Sequence, residues 1–180
     1  MKFGHLPAGY IASKLLFEKF NPRNISYNVF LFCGLAGSIA PDMDMFYKYA
    51  TDDFNTSHRL YVSHLPLVWL ALLLFSAVWL SISNKKDKKP VLAVMFFFNG
   101  LIHLVFDTFT GEVFWLAPFN SSFSVILSDV SNNNNSLDWN YFVQWPFVLE
   151  LIVIWWAIYL HFRKYFRQDV YARRCSRDKT

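Results

Sequence analysis

Charge is scarce in this chain. Asp, Glu, Lys and Arg make up only 17% of its 180 residues, and they are clustered rather than spread. The space between them is apolar: 54% of the residues, with 20 Phe, 9 Tyr and 7 Trp, well beyond ordinary soluble usage. Cysteine is nearly absent as well. Cys33 lies in an apolar stretch and Cys175 in a basic tail, which excludes a disulfide framework. No Gly-rich phosphate loop, Ser nucleophile elbow or Cys–His arrangement is present, so phosphate-loop and covalent serine or thiol chemistry are set aside. A cleavable signal is not expected either: Lys14, Glu18 and Lys19 interrupt the first apolar run, and no small-x-small site follows. The net charge of +4 and pI near 9.1 are compatible with a nucleic-acid binder. The basic residues sit beside apolar spans, however, which favours membrane topology; no nucleic-acid partner is expected.

The expected fold is therefore all-α, an integral membrane bundle of four to five membrane-embedded helices in a single domain over residues 1–180. Residues Leu6 to Phe20 read as a short helix with Pro7 in its first turn and Asn21-Pro22 at its end. Ser26 to Ala40 reads as a second, stopped by Pro41, with Gly34, Gly37 and Ala40 spaced to let the first helix come close. Each is about 22–24 Å long at ~1.5 Å per residue, short for a ~30 Å hydrocarbon core, so a surface-lying first helix remains an alternative to a crossing hairpin. Leu65 to Ser83 is the clearest span, 19 residues without a charge. A span opening at Pro90 carries His103 and Asp107, and a last one runs from Trp145 to Phe162, broken only by Glu150. Residues 110–142 read as a connecting loop, and residues 163–180 as a basic tail.

The positive-inside rule orients this threading. The Lys85–Lys89 linker and the tail belong on the cytoplasmic side, which leaves only Lys2, Lys48 and Arg59 of the 17 basic residues toward the outside. Asp42, Asp44, His58, His64 and His5 then fall at the outer rim, with His103 and Asp107 in the outward half of their span. His161 falls on the opposite side.

These residues form the candidate site. His103 and Asp107 are four apart, one turn apart on one helix face, a spacing that can serve one ion or a structural His–Asp bond between helices. Asp42-x-Asp44 directly follows Pro41, where turn and N-cap chemistry explains one carboxylate more easily than two. Neutral imidazole with carboxylate suits a divalent metal, Zn²⁺ ahead of Mn²⁺ or Fe²⁺. With so many donors, one to three ions are expected. Arg59, next to His58, suits an oxyanion or, equally, a salt bridge to Asp52 or Asp53. Glu150 lies about as deep in its span as His103, positioned as a general base, an extra ligand or a buried structural hydrogen bond.

At these residues the chain resembles a bacterial family of inner-membrane, predicted metal-dependent hydrolases, one branch of which is named for an association with the SOS repressor. The matching stretches are Gly4-His5, GSIAPDMD (Gly37–Asp44), SHRLYVSH (Ser57–His64), HLVFD (His103–Asp107) and TGEVFWLAPF (Thr110–Phe119). The family usually places Ser after the second His of its HR…H motif, where Leu65 stands here. The pattern is also remotely similar to zinc-dependent bacterial phospholipases C. The resemblance implies metal-site roles for His5, Asp42, Asp44, His58, His64, His103 and Asp107.

The resulting expectation is a multi-pass inner-membrane hydrolase with its site facing the periplasm. A metal-activated water would attack a phosphoester or lipid-linked substrate at the headgroup level. Asp42 or Asp44 would act as general base and Arg59 would hold the anion, with membrane lipids as surroundings or substrate. A non-catalytic interaction protein with a structural ion is the alternative, and a metal or proton transporter is a third class.

Overall fold

Prolines punctuate the chain where its helices begin and end. The computed structural model describes residues 3–20, 22, 25–44, 62–84, 87–109, 113–117, 119 and 145–177. Helix α1 (His5–Phe20) holds Pro7 in its first turn, where the missing N–H has no helical partner to lose. Helix α2 (Tyr27–Ile39) opens on Ser26, whose Oγ accepts the Val29 N–H at 3.4 Å. Pro41 cannot donate back to Gly37, so α2 tightens into a short 3-10 turn, Ala40–Met43, instead of continuing. A second such turn, Val62–His64, leads into α3 (Pro66–Ile82). Helix α4 spans Lys89–Asp107 and α5 spans Trp145–Arg177. The described residues are helical and contain no strand.

Four of these helices end within about a residue of where the sequence pattern puts them. The apolar stretch of α5 ends at Arg163, within a residue of the expected span, but the helix continues to Arg177 because no proline or glycine breaks the basic segment. The loop at 120–142, and residues 45–61 with His58 and Arg59, lie outside the described residues.

Among the described residues two helices are long and apolar enough to cross a membrane, Lys89–Asp107 and Pro146–Arg163, and α3 is a shorter apolar helix. Their outward faces are apolar too. Leu74, Phe75, Val78 and Ile82 of α3 are exposed, as are Ile152, Trp155 and Trp156 of α5. A continuous surface of this kind marks an interaction with lipid or another apolar partner.

Small residues decide how the helices meet. A Cβ on Gly37 would fall on the Phe96 main chain of α4, and one on Gly34 would strike the Ser13 side chain of α1 and approach Asn99 of α4. The expected stripe is therefore split: Gly37 serves the α2–α4 contact, not the α1–α2 hairpin. On the α1 side it is Gly9 that lies against Ser38. The reason is that α2 is central and touches both α1 and α4: Gly34 sits where the two meet it, and Gly37, nearly one turn on along the same face, touches α4.

Pairings fix the helix directions. Phe17 meets Phe30 edge-on at 5.4 Å while Gly9 meets Ser38, so α1 and α2 are antiparallel. Cys33 reaches the Leu92 carbonyl and His103 the Ser38 carbonyl, so α2 and α4 run the same way. Phe3 lies by Glu150 and Tyr10 by His161, so α1 and α5 are parallel. The starts of α1, α3 and α5 thus share one end of the bundle with the ends of α2 and α4.

Candidate metal centre

That shared end gathers the polar side chains. One ligand atom from each of Asp42, His64, His103 and Asp107 lies within 4.8 Å of the others. His103 Nε2 is 3.2 Å from Asp107 Oδ2 and 3.4 Å from Asp42 Oδ1. His64 Nε2 is 3.6 Å from Asp42 Oδ1 and 3.9 Å from Asp107 Oδ2. Each residue arrives from a different local device. Asp42 comes from the 3-10 turn that Pro41 imposes, His64 from the turn before Pro66, and His103 with Asp107 from consecutive turns of α4.

Both imidazoles are held by their far nitrogens. His103 Nδ1 donates to the Ser38 carbonyl at 2.7 Å, and His64 Nδ1 donates to Asp44 Oδ2 at 2.6 Å. With the proton on Nδ1, each neutral ring turns an Nε2 lone pair toward carboxylate oxygens. Lone pairs and carboxylates repel unless a cation sits among them. The spacing fits one: ligand atoms about 2.0–2.1 Å from a tetrahedral Zn²⁺ lie roughly 3.3 Å apart, close to the shorter distances here. Two nitrogens and two carboxylate oxygens also suit Mn²⁺ or Fe²⁺.

Asp42 is the member that reaches solvent, its side chain 37% exposed. Burial pushes its carboxyl up, but hydrogen bonding and charge from His103 and His64, wherever their Nε2 atoms carry a proton in place of a cation, outweigh that and hold it well below the usual carboxylate range. It is therefore ionised at neutral pH.

The other expected residues take separate places. His5 stands beside the four: its Nε2 is 3.2 Å from Asp107 Oδ1 and its ring stacks on His103 at 3.7 Å. Asp44 faces the outer nitrogen of His64 and also accepts the Ser63 hydroxyl at 2.7 Å, an orienting position behind the ring. Glu150 is fully buried on α5 and accepts the Phe3 N–H at 3.4 Å, two residues before His5. His58 and Arg59 lie outside the described residues.

Sequence reasoning missed the supports. Ser63 bonds Asp44, and Trp69 Nε1 donates to the Ser63 carbonyl at 2.7 Å, which ties the His64 turn to α3. The signal for Ser63 was its place next to His64; the Ser38 carbonyl carries none, because a main-chain acceptor is invisible in residue type. Beyond α4, Trp115 Nε1 donates to the Thr108 hydroxyl at 3.1 Å, and Val113 nearby in sequence is buried.

Asp44→Asn is expected to lower metal affinity about 10-fold while leaving the helical content intact, because an amide orients the ring less firmly. Competition with a chromophoric chelator reads this directly. An unchanged affinity would show that His64 is oriented by other groups.

A family model described as YdjM inner membrane protein matches residues 1–170, and the chain belongs to that family. No curated protein and no solved structure matches it.

Proposed function

We propose that this chain, as a member of an inner-membrane family, is a multi-pass metal-dependent hydrolase acting on a phosphoester or lipid-linked substrate at the membrane boundary. The observation that carries this reading is the convergence of two imidazole lone pairs and two carboxylates on one point. That arrangement is costly without a cation. A divalent ion held by Asp42, His64, His103 and Asp107, with His5 beside them, would supply Lewis acidity toward water and a phosphoryl oxygen.

The chain's own residues complete the scheme. Asp42, ionised and open to solvent, would hold the ion through Oδ1, which faces the histidines, and take the proton from the attacking water on its other carboxylate oxygen. Ser38 and Asp44 keep His103 and His64 in one tautomer and orientation. Arg59 holds the substrate anion through its planar donor fork. Glu150, by fixing Phe3, holds the start of α1 so that His5 remains over Asp107. In this reading all five helices are embedded, with the short α1–α2 hairpin in a locally thinned bilayer, and the cluster faces the periplasm.

Metal analysis of the detergent-purified protein, run with a screen of phosphodiester and phospholipid hydrolysis, tests the proposal. One to three divalent ions per chain and hydrolysis abolished by chelation are expected. Bound metal without any hydrolysis would reduce the centre to a structural ion, and a metal-free protein would sink both readings. Sidedness is tested separately. A cysteine at Asn133 should react with an impermeant thiol reagent in spheroplasts, and one at Lys86 should not; the reverse pattern places the centre on the cytoplasmic face.

A further inference from the structure

The opposite end of the bundle carries a second polar group, built between α1 and α5. Lys14 is half-buried there. Its ammonium donates to the main-chain carbonyl of Leu160 and, at 3.4 Å, to the Tyr10 hydroxyl. The Tyr10 hydroxyl in turn lies 3.1 Å from His161 Nδ1. Lys14 Nζ also stands 5.7 Å from the centre of the Tyr10 ring.

The chemistry of this group is incomplete. An ammonium has three donors, and two are used, both on neutral acceptors. Among the described residues no carboxylate forms an ion pair with Lys14, and Glu18, one turn further along α1, is exposed and does not reach it. Either Tyr10 or His161 can supply the hydrogen between them, and the imidazole's Nε2 lies beyond that bond. One ammonium donor and one uncompensated charge therefore sit beside Leu160, which is only 2% exposed. Such a charge is costly against apolar surroundings unless an anion joins it.

Position selects the anion. The apolar stretch of α5 ends at Arg163, so Leu160 and His161 lie in its last turn, and α1 ends nearby with Lys19 in its own last turn. Above them α5 exposes Ile152, Trp155, Trp156 and Tyr159, a surface for acyl chains. A small hydrated anion would not use that surface, whereas a molecule with a phosphate head and hydrocarbon tails uses both.

We propose that Lys14, Tyr10 and His161 form a headgroup site for an anionic phospholipid, at the end of the bundle opposite the metal centre. The site does not depend on the centre binding metal, only on the helices lying in a bilayer.

The full-length protein in phosphatidylcholine nanodiscs doped with phosphatidylglycerol provides the test. The lipids it retains after detergent release are counted by native mass spectrometry. Preferential retention of at least one phosphatidylglycerol is expected. Lys14→Gln should reduce it about five-fold, the effect of ~1 kcal/mol per cationic group at a membrane surface. Lys14→Arg should preserve it, and Lys88→Gln, an exposed lysine at the same end, should leave it unchanged. Equal retention of the two lipids by the wild-type protein overturns the site and needs no variant to fold. A loss in Lys88→Gln as large as in Lys14→Gln overturns it as well, since diffuse surface charge would then account for the lipid. Displacement of the retained lipid by millimolar inorganic phosphate would reassign the group to free phosphate.

Discussion

Replacing His103 with alanine is expected to strip the centre of its metal, with affinity falling at least ~100-fold, the upper end of what losing a supporting partner costs. The ring is fully buried, held from behind by Ser38, and its Nε2 faces both Asp42 and Asp107. Without it an ion placed between the two carboxylates would lose a ligand on the buried side. Asp42→Ala should cost a comparable amount of bound metal and should also remove hydrolysis. His161→Ala, at the far end of the bundle, should leave metal content unchanged. Equal metal in all three variants would mean the four side chains do not act as one site.

The second large effect lies at Gly37. A methyl group there would overlap the carbonyl of Phe96, and main chain in the middle of a helix cannot swing aside. Gly37→Ala is expected to lower stability by at least about 1–3 kcal/mol, the range for overpacking a filled interior. Gly37→Leu is expected to yield no folded protein. Thermal melting in detergent measures the first, and recovery after size-exclusion the second. Gly100 offers the contrast. A methyl group there meets the ring of Trp69, a side chain, but that indole holds the Ser63 carbonyl beside His64. Gly100→Ala should therefore weaken metal binding more than it lowers the melting temperature. A Gly37→Ala protein as stable as the parent would show that α2 and α4 can separate without loss.

Much of this could be read from residue types alone, and the reasons are local. Pro7, Pro41, Pro66 and Pro90 mark helix boundaries because a missing N–H acts within one turn. Asp42, His64, His103 and Asp107 stood out because ionisable groups inside or beside apolar runs need partners. What could not be read depends on facing. The spacing of Gly34 and Gly37 announces that a helix comes close, but not that α4 rather than α1 meets Gly37. Asp42 and Asp44 look alike in sequence, yet one joins the cluster and the other stands behind His64, because a tight turn sends alternate side chains to different sides. Glu150 could be placed in depth but not assigned a partner, since that partner is the main chain of Phe3. The apolar span of α5 closes at Arg163, as the residue types indicate, while the helix itself runs on to Arg177, because charge alone does not unwind a helix.

The order in which the chain is made gives the centre a further meaning. Synthesis delivers His5 first, Asp42 and Asp44 later, His64 after them and Asp107 last, so the site cannot close until α4 has left the ribosome. Before that moment α2 has no Phe96 to rest on and Asp42 has no His103 to face. A chain arrested near residue 84 would hold three helices with their central contact missing. A metal-binding test would therefore report completed assembly, because the four side chains can meet only once α4 has packed against α2.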